Sequence, residues 1–145
     1  MTISIFEISI RKELDMKRVS ALFSNYFGIP VGSFVGIDDF WEIKSSEQKY
    51  LVGVRLDVSE VGYKTLVVCY CYFELYGDSL GGLAKYLAVE LGTDVAIGDY
   101  VHTSDVVNGR FMVFSADGEV AYGFESCESS GFDVVFSDKS KKNKR

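Results

Sequence analysis

The segment Arg110–Ala116, Asp117-Gly118, Glu119–Glu125 constrains the fold more than any other part of the chain. Two alternating apolar and polar runs flank an Asp-Gly pair, the signature of a tight antiparallel hairpin. A two-residue type I′ turn would pair Phe111 with Phe124, Val113 with Tyr122 and Phe114 with Ala121. Extended segments recur upstream with short polar connections. Phe40–Lys44, Tyr50–Val58 and Tyr63–Tyr76 read as successive strands, with Ser45–Lys49 and Ser59–Gly62 as turns. Ser4–Ile10 opens the chain as a strand with Phe6, Ile8 and Ile10 on one face and Ile3 and Ile5 on the other. Thr93–Ile97 and Phe132–Phe136 read as short strands.

Two helices interrupt this pattern. Asp15 is a suitable N-cap for a helix through Phe27, with Met16, Val19, Phe23 and Tyr26/Phe27 on one stripe. Gly28 and the single proline, Pro30, end it. Asp78 or Ser79 would cap a second helix through Leu91, whose stripe is Leu80, Leu83, Leu87 and Leu91, with Gly92 as its stop. Gly81 and Gly82 cost that helix about 1 kcal/mol each against alanine, which is tolerable if its start lies close against backbone. The order β-α-β-β-β-α-β-β-β-β predicts an α+β fold: a single domain, a mainly antiparallel sheet and two helices packed on one face. Residues 1–137 form that domain, and residues 138–145 read as a basic disordered tail with no apolar side chain to bury.

The formal net charge of −6 conceals an uneven distribution. Residues 1–55 carry seven cations and seven anions. Residues 56–138 carry three cations (Lys64, Lys85 and Arg110) against fourteen carboxylates, a net of −11. The closing KSKKNKR adds five cations. An acidic body excludes a general nucleic-acid-binding surface, since phosphate binding needs clustered cations. No apolar run approaches the ~20 residues of a membrane span, and MTISIFEISI does not read as a secretory signal. Three cysteines, Cys69, Cys71 and Cys127, are an odd number and point to reduced thiols in the cytoplasm. Cys69 and Cys71 share a strand face and read as core packing.

Motifs for chemistry are sparse. His102, the single histidine, lies in Asp99-Tyr-Val-His102-Thr-Ser-Asp105 and reads as a solvated loop residue; the alternative is a small enzyme or ligand-binding domain with a pocket near it. A zinc site from the three cysteines and His102 lacks the turn between ligands that zinc ribbons use. Asp38-Asp39 reads as a turn leading into a strand rather than a hydrolytic carboxylate pair. Neither a phosphate loop nor a G-x-S-x-G elbow is present. No catalytic residue, metal or cofactor is therefore expected. The feature left over is a partner-facing acidic surface in which carboxylates alternate with tyrosines. Its candidate residues are Asp99, Tyr100, Asp105, Asp117, Glu119, Tyr122, Glu125, Glu128 and Asp133. Such a surface suits a basic protein, because the charges steer association and the rings supply contact area.

LAKYLAVELGTDVAIGD, a loop, and then GRFMVFSADGEVAYGFES, over roughly residues 79–136, resemble the small cytoplasmic immunity proteins of bacterial polymorphic toxin systems, including contact-dependent growth inhibition. The resemblance rests on the amphipathic helix, the Asp-Gly hairpin and the acidic character. It implies a non-enzymatic α+β domain, monomeric or homodimeric. Such a domain binds a cognate toxin, often a basic nuclease, and blocks its active site or substrate path without touching nucleic acid or membrane. It carries over the class and no specific site. An acidic nucleic-acid mimic from a phage or plasmid is the alternative of the same chemistry.

Overall fold

The computed structural model describes residues 3–72, 77–98, 110–126 and 132–136. The expected Asp15 cap forms: its side chain accepts a hydrogen bond from the Arg18 N–H at 2.8 Å and starts α1, Met16–Phe27. Gly28 ends α1 in the left-handed region, at φ 70°. Among the described residues, eight strands make one sheet: β1 (Ser4–Ile10), β2 (Phe34–Gly36), β3 (Val52–Val58), β4 (Thr65–Cys71), β5 (Val95–Gly98), β6 (Arg110–Phe114), β7 (Val120–Glu125) and β8 (Val134–Phe136). Their order is β2-β3-β4-β1-β5-β6-β7-β8. Every pairing is antiparallel except β2 with β3. The α+β expectation is met.

β1 lies in the middle of the sheet, between β4 and β5. The pairings make β2 parallel to β1 and β5 parallel to β4, so each connection needs a crossover longer than a hairpin. Helix α1 supplies the first, and α4 (Gly77–Leu91) the second. Both pack on one face of the sheet. There Phe6, Ile8 and Ile10 meet Val67, Cys69, Val95 and Ile97 beneath Val19, Phe23, Leu83 and Leu87, in one buried core. The leucine stripe of α4 is buried as expected. Gly82 has a different reason from the one expected: a Cβ there would lie 2.5 Å from the Tyr26 hydroxyl, so α1's side chain, not backbone, excludes it.

Two readings of the middle of the chain are corrected. Phe40–Lys44 is not a strand: Ile37–Glu42 is helix α2, and Ser45–Gln48 is a short helix, α3, rather than a turn. Asp38 and Asp39 stand in the first turn of α2, where carboxylates complement exposed N–H groups. A strand not expected from the sequence, β2, lies in the glycine-containing stretch after α1, following one 3-10 turn at Val31–Ser33. The third correction concerns the hairpin. The observed partners are Phe111 with Gly123, Val113 with Ala121 and Phe114 with Val120. The loop has three residues, because Ser115 donates to the Glu119 carbonyl at 2.9 Å and Gly118 to the Ser115 carbonyl at 2.8 Å. Gly118 has φ 84°, and among the described residues no non-glycine has positive φ, so a type I′ turn at Asp117 is ruled out. The one-residue shift puts Val113 and Tyr122 on opposite faces.

Among the described residues, the second face of the sheet is covered at its two ends only. At one end Phe40 of α2 lies over Gly53 of β3. At the other, Tyr63, Ala96, Val113 and Val134 form a small core with Phe111, Phe132 and Phe136. Arg11 closes that end, pairing with Asp133 at 2.7 Å while its guanidinium lies 4.5 Å from the centre of the Tyr63 ring. The Tyr63 hydroxyl is buried without a hydrogen-bond partner among the described residues. Burial pushes its phenol up to about 12, against the opposing pull of Arg11. Unfolded tyrosine ionises near pH ~10. Between those values the unfolded chain gives up a proton that the folded chain keeps, so stability falls as pH rises through this window. Tyr63→Phe is expected to remove that part of the alkaline loss. At neutral pH it should change stability by less than about 1 kcal/mol, because no hydrogen bond is broken. Urea unfolding at both pH values measures the two effects.

Candidate functional site

Five of the nine expected partner-facing residues fall among the described residues, and they are spread over several places. Asp99, Tyr100, Asp105 and Glu128 lie outside the described residues, as do His102, Cys127 and the 138–145 tail. Among the others, Asp133 faces Arg11 across the second face of the sheet. Asp117 serves its own hairpin: its carboxylate accepts from the Ser115 hydroxyl, and from the Glu119 N–H at 3.1 Å. Tyr122 is half-buried against the main core, with the Arg110 guanidinium 5.5 Å from its ring centre. Glu125 is exposed at the far end of β7, beside Val134. Glu119 is exposed at the hairpin tip.

That tip leans on α4. A Cβ on Gly118 would stand 3.1 Å from Lys85 Cε and 4.0 Å from Val89 Cγ2. The hairpin tip, with Asp117 and Glu119, and the half-exposed Val89 thus form one corner, with Lys85 beside them. The corner is rigid on both sides, since the hairpin is locked by its own hydrogen bonds and α4 by its leucine stripe. Carboxylates around an apolar side chain on a fixed support can steer a basic surface and then seat it.

A second constellation was not anticipated. On the second face of the sheet Ile5, Tyr70 and Gly53 lie side by side on β1, β4 and β3. Trp41 of α2 sits edge-on to Tyr70, with ring centres 5.7 Å apart. The signal for half of it was present, because Tyr70 and Tyr72 alternate with the core cysteines. Expected on a strand, Trp41 gives no sign in the sequence of its proximity to Tyr70.

Cys69 and Cys71 are buried on the core face, as expected. Burial, with Cys71 adding to it, pushes the Cys69 thiol well up, which disfavours the reactive thiolate. Among the described residues no cluster of histidine, cysteine and carboxylate could hold a metal ion, and no helix is long and apolar enough to cross a membrane. No family model, curated protein or solved structure matches the chain.

Proposed function

We propose that this chain is an immunity-type binding protein that neutralises a basic toxin domain, of nuclease type, by covering its active site or substrate path. One observation carries the reading: a net charge of −11 over residues 56–138, part of it held on fixed supports, with Asp117 and Glu119 at the hairpin corner against Val89 and Glu90 exposed elsewhere on α4. Carboxylates on this corner pair with the Lys and Arg side chains that line a nuclease cleft. The thiols buried in the core and the acidic body fit a domain that acts by contact rather than by chemistry of its own.

The test first looks for a basic toxin domain encoded beside this chain, and then measures its nuclease activity and its rate of association with the chain. The full chain is expected to abolish the activity in stoichiometric amounts. The double variant Glu90→Lys with Glu119→Lys is expected to slow association tenfold or more without loss of fold, since rim charges act chiefly on the on-rate. Association that is indifferent to salt, or full inhibition by the double variant at an unchanged rate, would overturn the reading.

A further inference from the structure

We infer that Ile5, Trp41 and Tyr70 form a second docking site, on the face of the sheet opposite α1 and α4, for a basic protein segment that presents an apolar side chain. The three side chains are adjacent by register and ring contact, and Ile5 is 58% and Trp41 51% exposed. A half-exposed tryptophan beside a tyrosine and an aliphatic residue has the composition of an interface anchor.

The platform is held in place from beneath. Phe40, fully buried, carries the neighbouring Trp41 with ring centres 5.0 Å apart and stacks on Tyr72 at 6.5 Å. Gln48 is buried and donates to the Phe40 and Ile43 carbonyls at 2.9 and 3.0 Å, closing the C-terminal end of α2. Tyr72 donates to Gln48 Oε1 at 3.3 Å. Ordering costs at the anchor are therefore met before a partner arrives.

Charge decides the occupant. Asp38 lies three residues before Trp41 on α2, and so on the same side of the helix; Glu42 follows Trp41 directly. Glu7 lies two residues beyond Ile5 on the same face of β1. All three are exposed. Of the described cations on this side, Arg55 is paired with Asp57 at 3.2 Å, Arg11 with Asp133 at 2.7 Å, and Lys44 stands past the end of α2. A second copy of this chain would bring Glu7, Asp38 and Glu42 against their own images, which is repulsive. A Lys- or Arg-flanked segment would be complementary. The inference shares with the proposed function the expectation of a basic partner, but it uses a different surface and stands or falls separately.

Trp41 is the single tryptophan, so its emission reports on this site alone. The full chain is titrated with a short peptide of alternating leucine and lysine that contains no tryptophan. A saturable blue shift is expected, weakening as salt rises from about 0.01 to about 0.15 M, over which the screening length falls from about 30 to about 8 Å. A lysine-only peptide and a leucine–glutamate peptide should leave the emission unmoved. Ile5→Lys, at an exposed position, is expected to weaken binding about tenfold or more, the size of a hot-spot contact. Glu7→Lys with Asp38→Lys should weaken it comparably. Circular dichroism checks that both variants fold. Glu90→Lys with Glu119→Lys should leave the titration unchanged, separating this site from the hairpin corner. No shift, an equal shift with either control peptide, indifference to Ile5→Lys, or burial of Trp41 by self-association would each overturn the inference.

Discussion

Phe23→Ala is expected to lower the unfolding free energy by about 3–5 kcal/mol, the range for a buried aromatic cut back to a methyl group. Phe23 is fully buried at the point where α1, β1 and β2 meet. Its ring lies 6.4 Å from Phe6, 6.2 Å from Phe27 and 6.3 Å from Phe34. Removing it leaves a cavity lined by three rings that cannot collapse together, because each belongs to a separately anchored segment. Domains of this size unfold at a cost of about 5–15 kcal/mol, so the loss is a large fraction of the total. Thermal unfolding should show a midpoint lower by roughly 6–20 °C. A change of less than about 1 kcal/mol would mean that Phe23 is not where the core is densest.

Gly53→Ala is expected to be a damaging addition of a single methyl group at the α2 end of the second face. The new Cβ would stand 2.7 Å from Phe40 Cγ and 2.9 Å from Phe40 Cβ, closer than carbon atoms approach. The clash falls on the root of the Phe40 side chain, which cannot swing aside without moving α2. Overpacking of this kind costs about 1–3 kcal/mol. The local effect is expected to exceed the global one: α2 lifts, Trp41 leaves Tyr70, and its emission moves to the red before the sheet unfolds. Urea titration followed both by Trp41 emission and by far-ultraviolet circular dichroism should give two transitions in Gly53→Ala and one in the parent chain. Coincident transitions in the variant would show that α2 and the sheet unfold as one unit. The same variant should also abolish peptide binding at the Ile5–Trp41–Tyr70 platform.

The parts of the fold that were legible share a property: their signals are local. Asp15, the α1 stripe and Gly28 specify a start, a face and a stop within a few turns, and the helix has those bounds. The leucines of α4 and the alternation of Val67, Cys69 and Cys71 likewise name a buried face without reference to anything distant. The hairpin was legible as a hairpin but not in its register. Asp117-Gly118 fits a two-residue turn, and also a three-residue loop with glycine alone in the left-handed region. The side-chain bonds of Ser115 and Asp117 favour the second.

Nothing local distinguishes the states open to residues 28–50. Phe40, Trp41 and Ile43 have strand-forming side chains. They form a helix and its end because Gly53, thirteen residues past Phe40, leaves a hole that Phe40 fills, and because Gln48 caps the helix end. β2 exists because α1 returns the chain to the far edge of the sheet beside β3. The site had the same difficulty. Carboxylates read as one surface along the chain are divided in space: Asp133 is spent on Arg11 and Asp117 on its own loop, while the hairpin tip meets Lys85 and Val89 across an element boundary.

By itself, then, the sequence determined the class of fold, the two long helices, the buried cysteines and the acidity of the body. These follow from periodicity, capping and charge, which act over a few residues or add along the chain. Only the tertiary structure decided the strand order, the helical state of Ile37–Glu42, and which exposed side chains share a surface. Those depend on complementarity between segments far apart in sequence, where one missing Cβ, at Gly53, determines the position of a helix and with it the meeting of Trp41, Tyr70 and Ile5.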